Sequence, residues 1–269
     1  MQAFFLPCDL GQRFCIYHAA RNGQARGAIV YLHPFAEEMN KARRMAALQS
    51  RALAKAGFNV LQIDLLGCGD SSGDFADATW EAWQDDLVSG CSWLQAHNQG
   101  PLILWGLRAG CLLAVSVAAR LPKEADFIFW QPAISGKQHW QQFMRLKMAG
   151  ELAFGQPKGV TEQLRQQLAA GQNVEIAGYT LAPALVDGLL NAELRPPVGH
   201  SGRVAWLELS ARQDATLAPV SRDRIDQWLE AGFSVNARVV HGPAFWQTTE
   251  IEDAPELIEA TLGALGSWQ

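Results

Sequence analysis

Residues 101–107 form an apolar run that ends inside the unit Gly106-Leu107-Arg108-Ala109-Gly110, and an apolar helical stretch reaching Leu121 begins at once. A strand passing straight into a helix between two glycines needs a sharp turn, with the backbones in close approach and Arg108 at its apex. Such a junction belongs in a parallel sheet, and the rest of the chain agrees. Residues 26–33, 58–64, 125–130, 204–210 and 234–240 are further apolar, β-branched runs that read as buried strands. Helical patterns at 38–55, 78–96, 109–121, 219–231 and 254–265 separate them. Gly57 stops the first helix, and Trp80, Trp83, Leu87, Cys91 and Leu94 keep helical spacing in the second.

The alternation halts between residues 134 and 200. Trp140, Phe143, Met144 and Leu146, then Leu181, Leu185, Leu189 and Leu190, mark amphipathic helices broken by Gly155, Pro157, Gly171 and Pro196-Pro197. The expected architecture is α/β: a mostly parallel, doubly wound sheet of about eight strands with a helical cap inserted at about 134–200. At 269 residues the chain is expected to make one domain, residues 1–269.

Charge narrows the partners. A net charge of −5 without any Lys/Arg run leaves no footprint for nucleic acid or an anionic membrane surface. The five cysteines (Cys8, Cys15, Cys68, Cys91, Cys111) include no Cys-x-x-Cys pair, so neither a disulfide framework nor a zinc site is expected. No basic leader or apolar run long enough to span a bilayer appears, and a cytoplasmic location is expected. Gly67-Cys68-Gly69 follows a strand, but Ser72 stands where a dinucleotide fingerprint needs its third glycine. No cofactor and no metal are expected; the partner is a small acyl or anionic molecule. Oligomeric state is not legible.

Three pieces in order carry a resemblance. The junction at 106–110 has the context of the α/β-hydrolase nucleophile elbow. His33-Pro34-Phe35, after an early strand, stands where these enzymes keep an oxyanion-hole loop. Asp64-Leu65-Leu66-Gly67-Cys68-Gly69-Asp70-Ser71 resembles their Asp-x-x-Gly-x-Gly-x-Ser loop. Residues 28–133 and 203–265 resemble the superfamily plan, with the insertion where it places a lid. The wording of 33–40 and 105–110 is similar to the exosortase A system-associated hydrolase 2 family. That resemblance implies a hydrolase of esters, thioesters or amides, in the PEP-CTERM/exosortase setting of bacterial exopolysaccharide genes.

The resemblance assigns site positions, and the residues at them depart from it. Arg108 occupies the nucleophile position, yet a guanidinium stays protonated and cannot accept an acyl group. Cys111, one turn on, is either a substitute nucleophile or inert core, and its apolar helix favours core. Asp214 matches the acid after the strand 204–210, or is a surface-turn aspartate. The base position falls at Ala244 or Phe245; His241 is about four residues early, and serves as base only if the loop is shortened. The pocket and oxyanion candidates are His33, Phe35, Ala109, Glu37, Glu38, Phe245 and Trp246, with His33 reading as a structural turn residue. A cation at a helix N-terminus needs an anion, so Arg108 is expected to pair with Glu37 or Glu38, with Asp214, or with a ligand carboxylate or phosphate.

Overall fold

The run at 27–32 is buried at every position, as are those at 102–107 and 125–130, because each is covered by helices on both faces. In the computed structural model, which describes residues 1–21, 23, 25–98, 100–153 and 159–268 (side chains at 146–153 and 160 excepted), these strands are β3 (Gly27–Leu32), β5 (Leu102–Leu107) and β6 (Ala125–Trp130). They lie side by side at the centre of an eight-stranded sheet, flanked by β4 (Phe58–Ile63) on one side and by β9 (Gly202–Ser210) and β10 (Phe233–His241) on the other. All of these pair in parallel.

The remaining two strands were not foreseen. β1 (Gln2–Cys8) and β2 (Gly11–His18) form an antiparallel hairpin, and β2 also pairs antiparallel with β4. Only one face of this pair is covered, so its sequence mixes Gln, Arg and Cys with aromatics and lacks the unbroken apolar run that marks the central strands. Arg13 on β2 forms a fully buried ion pair with Asp86, Nε to Oδ1 2.7 Å, and Asp86 also accepts the Leu66 N–H at 2.8 Å.

Helices cover the sheet as the alternation implies. α1 (Glu37–Lys55) and α8 (Pro255–Gly266) share one apolar cluster with Ile29, Tyr31, Trp105, Ile128 and Trp130. On the opposite face α2 (Trp80–Ala96), α3 (Ala109–Ala118) and α7 (Pro219–Glu230) pack over Val30, Leu32, Leu104, Phe127 and Phe129. The α2 terminus is fixed by its capping residue, the Thr79 hydroxyl accepting the Ala82 N–H.

Between β6 and β9 the chain makes an excursion through α4 (Gly136–Ala153), α5 (Val160–Ala169) and α6 (Pro183–Asn191). It also contains a hairpin absent from the sequence expectation, β7 (Val174–Ile176) and β8 (Tyr179–Leu181), turned by Ala177 and Gly178 at φ 51° and 82°. Two consecutive positive φ values give a turn whose twist matches its strands. The excursion leaves and rejoins the sheet through one neck: Gly136 N–H donates to Ala192 O (2.9 Å) and Leu194 N–H to Ile134 O (3.0 Å), with Ser135 and Glu193 bridged between them. A Cβ at Gly136 would collide with the Leu189 carbonyl, so this neck closes only on glycine. Of the amphipathic positions expected here, Phe143, Met144, Leu181, Leu185 and Leu189 are buried, while Leu146, Gly155 and Pro157 lie outside the described side chains or residues.

Candidate functional site

Two turns with nearly the same backbone build the site. Ala36, just before α1, has φ 49° and ψ −123°; Arg108, just before α3, has φ 56° and ψ −118°. A residue with a Cβ avoids this region unless its surroundings enforce it. At Arg108 they do: its N–H donates to Trp130 O (3.0 Å), its carbonyl accepts from Ala133 N (3.2 Å), and the flanking glycines allow the approach. A Cβ on Gly106 would strike the Cys111 backbone, and one on Gly110 the carbonyls of Leu32 and His33. Ala109 then opens α3, buried.

The Arg108 side chain is 13% exposed and its donors meet two different elements. Nε donates to Glu38 Oε1 of α1 at 3.2 Å, and Nη2 donates to Gln142 Oε1 of α4 at 2.8 Å. The guanidinium carbon lies 5.7 Å from the centroid of the Trp246 ring, in the loop after β10, a cation–π contact. Burial pushes the Glu38 carboxyl above its ordinary pKa, and Arg108 pulls against that shift without cancelling it. The second oxygen, Oε2, is buried and has no hydrogen-bond partner among the described residues.

Glu37, one residue earlier, faces the other way: its Oε2 accepts the Tyr179 hydroxyl at 3.3 Å, and Tyr179 accepts from Asn40 at 3.3 Å. Burial first, then Glu37, pushes the Tyr179 phenol up to about 12. The two adjacent glutamates therefore hold two parts of the excursion, Glu37 directly through β8 and Glu38 through Arg108 to α4.

His33 at the end of β3 is structural. Its Nδ1 donates to Pro34 O at 2.8 Å, so Nε2 is the acceptor for Leu65 N–H at 3.4 Å, and burial lowers its pKa. Phe35 is buried and meets Trp83, Phe75, His139 and Phe143 edge-on. Phe245 and Trp246 are buried against each other, with Phe245 also on Trp130.

The other triad candidates stand apart from Arg108. Asp214 is exposed in the turn after β9 and makes no hydrogen bond or ion pair with Arg108 or His241 among the described residues. His241, at the exposed end of β10, faces Glu256 of α8, Nδ1 to Oε1 3.4 Å. Cys111 is fully buried, its thiol held far above its usual pKa by desolvation and its Sγ 3.8 Å from Trp130 O, which is the environment of core. No His/Cys/Asp/Glu cluster suited to a metal occurs among the described residues, and no described helix is long and apolar enough to cross a membrane. Of three cavities of about 20, 40 and 460 Å³, none is lined by Arg108, Asp214 or His241; the smallest is bounded by His33, Arg43 and Asp64.

Two neighbours of Arg108 escaped the sequence reading. Gln142 and His139 lie three residues apart on α4, on the same side as Phe143. His139 is 4% exposed, its Nδ1 has no partner among the described residues, and burial, followed by the Arg108 charge, lowers its pKa to about 3. Their signal is the helical spacing 139, 142, 143, which sets them on the side of α4 that carries Phe143.

The order of the sheet, the tight strand-to-helix turn after β5 and the excursion after β6 can now be set beside known proteins. The sequence pattern of the serine aminopeptidase S33 family matches residues 23–191. The chain belongs to that family. Its likeness to solved structures is one of fold, at low identity. The serine hydrolase XC6422 from Xanthomonas campestris, described as lacking a lid, shares 15% identity at a TM-score of 0.59, covering 99% of this chain and 94% of that one. Est1E from Butyrivibrio proteoclasticus gives a TM-score of 0.64 at 11% identity over 99% and 98% of the two chains. Mouse α/β-hydrolase domain-containing protein 10 gives 0.58 at 14% over 100% and 98%. Among curated sequences, human Protein ABHD12B is 34% identical over 116 residues, which is 42% of this S33-family chain but only 30% of the human protein.

Proposed function

We propose that this S33-family chain is a catalytically silent α/β-hydrolase that works by binding, with Arg108 standing where its relatives carry the nucleophilic serine. The observation that carries this reading is the Arg108 turn itself: the φ and ψ of an elbow, with a guanidinium at its apex tied to Glu38. A permanently protonated group offers no lone pair for acyl transfer. Among the described residues nothing around it supplies the missing parts, since His241 engages Glu256, Asp214 faces solvent and an indole covers the apex. On this reading the chain works in the cytoplasm in the exosortase and exopolysaccharide setting that the wording of residues 33–40 and 105–110 suggests, with residues 1–269 acting as one domain capped by about 134–200.

A fluorophosphonate probe should leave the folded protein unlabelled, and p-nitrophenyl acetate should be cleaved no faster than in buffer. Arg108→Ser is expected to stay inactive as well, because a serine there gains no base. Stoichiometric labelling of any serine, or ester cleavage abolished by Asp214→Asn, would establish the competing reading, an active ester, thioester or amide hydrolase.

A further inference from the structure

The two oxygens on Arg108 come from unrelated elements, yet they occupy one edge of the guanidinium. Nε–H and the adjacent Nη2–H point in parallel, and this is the edge on which a carboxylate binds with both oxygens at once. Here Glu38 Oε1 takes Nε at 3.2 Å and Gln142 Oε1 takes Nη2 at 2.8 Å. Together they imitate a single carboxylate.

We propose that this edge of Arg108 is a binding site for the carboxylate of a small acid with an apolar tail, held closed in this structure by Glu38 and Gln142. The inference rests on the reading that Arg108 is not part of a catalytic apparatus. Four observations support it. Gln142 is an exposed residue, so its place on Nη2 opens toward solvent and is the replaceable half of the imitation. Two buried polar atoms beside the guanidinium, Glu38 Oε2 and His139 Nδ1, lack partners among the described residues, as expected of a site whose hydrogen bonding is incomplete without an occupant. The N-termini of α1 and α3 both end here and favour negative charge. The surroundings are aromatic rather than polar: Trp246 covers the guanidinium, and Phe35 packs edge-on against both His139 and Phe143. A bare inorganic anion would leave those rings unused, whereas an apolar tail would bury against them.

Glu38 opposes such a ligand, because a second carboxylate must share one cation with it. Replacing it by glutamine removes the repulsion and supplies an amide donor. The test is binding of octanoate, with 1-octanol as the uncharged control, followed by Trp fluorescence and calorimetry on the full chain. Glu38→Gln should bind octanoate about tenfold more tightly than the wild type, and 1-octanol should gain nothing from the change. The double variant Arg108→Met/Glu38→Gln leaves no unpaired charge, so it should fold, and it should lose octanoate binding. Absence of octanoate binding to a folded Glu38→Gln, equal binding of octanol and octanoate, or binding that survives in the double variant would each overturn the proposal. Fluorophosphonate labelling with octanoate binding intact would overturn only the silent-hydrolase reading, so the two failures are distinct.

Discussion

A residue at φ 56° has no choice of direction, and the Arg108 turn delivers a fixed positive charge to a place where two helix N-termini already carry partial positive charge. Without an anion the arrangement would be costly; Glu38, in the first turn of α1, offsets both terms at once. With exposures of 13% and 19%, the two side chains are mostly withdrawn from water, so breaking the pair matters more than forming it. Arg108→Ala is expected to lower stability at pH 7 by about 3 to 5 kcal/mol, since the remaining carboxylate is left largely buried and unpaired. Arg108→Ala/Glu38→Gln should recover most of that loss. Urea unfolding of both variants checks it, and equal losses in the single and double variants would show that the turn geometry, not the charge, is at stake. That Arg108 needs an anion was legible in the sequence, with Glu37, Glu38, Asp214 and a ligand all open, and the structure supplies Glu38. Gln142 and His139 were not, because which side of α4 meets Arg108 depends on how the excursion docks.

The same contrast runs through the elements. The central strands β3, β5 and β6 could be read directly, since burial on both faces leaves unbroken apolar runs, and Gly57 marked the end of α1 correctly. The hairpins β1–β2 and β7–β8 could not, because a half-covered or three-residue strand leaves too few apolar positions to register a period. α4 was recognised by its stripe of Trp140, Phe143 and Met144, yet its most consequential member is His139. With its pKa near 3 in the folded chain against 6.5 when free, His139 stays neutral in the native state while the unfolded chain takes up a proton below pH 6.5. Stability is therefore intact above pH 6.5 and is lost as the pH falls toward 3, by on the order of 3 kcal/mol at pH 4. A His139→Leu variant should show a correspondingly shallower acid loss in paired urea titrations at pH 7 and pH 4; an unchanged slope would mean that α4 leaves the sheet before the imidazole is ever charged.

Across the whole molecule the excursion is not an appendage. Leu164, Val174, Ile176, Leu181, Leu185 and Leu189 belong to the same apolar cluster as Leu32, Leu104 and Phe127 of the sheet. Loss of the excursion would open that core to water, so both should unfold together. Tryptophan fluorescence and far-UV ellipticity are expected to trace one coincident urea transition, and an earlier fluorescence transition without loss of strand signal would show two separable parts. The neck between Ile134 and Leu194 adds something of a different kind. Because the chain departs and returns through adjacent, mutually hydrogen-bonded residues, β6 and β9 keep their register whatever length of chain lies between them. Residues can accordingly be gained or lost beyond that neck over evolutionary time without moving a single strand, leaving the shape above Arg108 free to diverge while the scaffold beneath it is inherited intact.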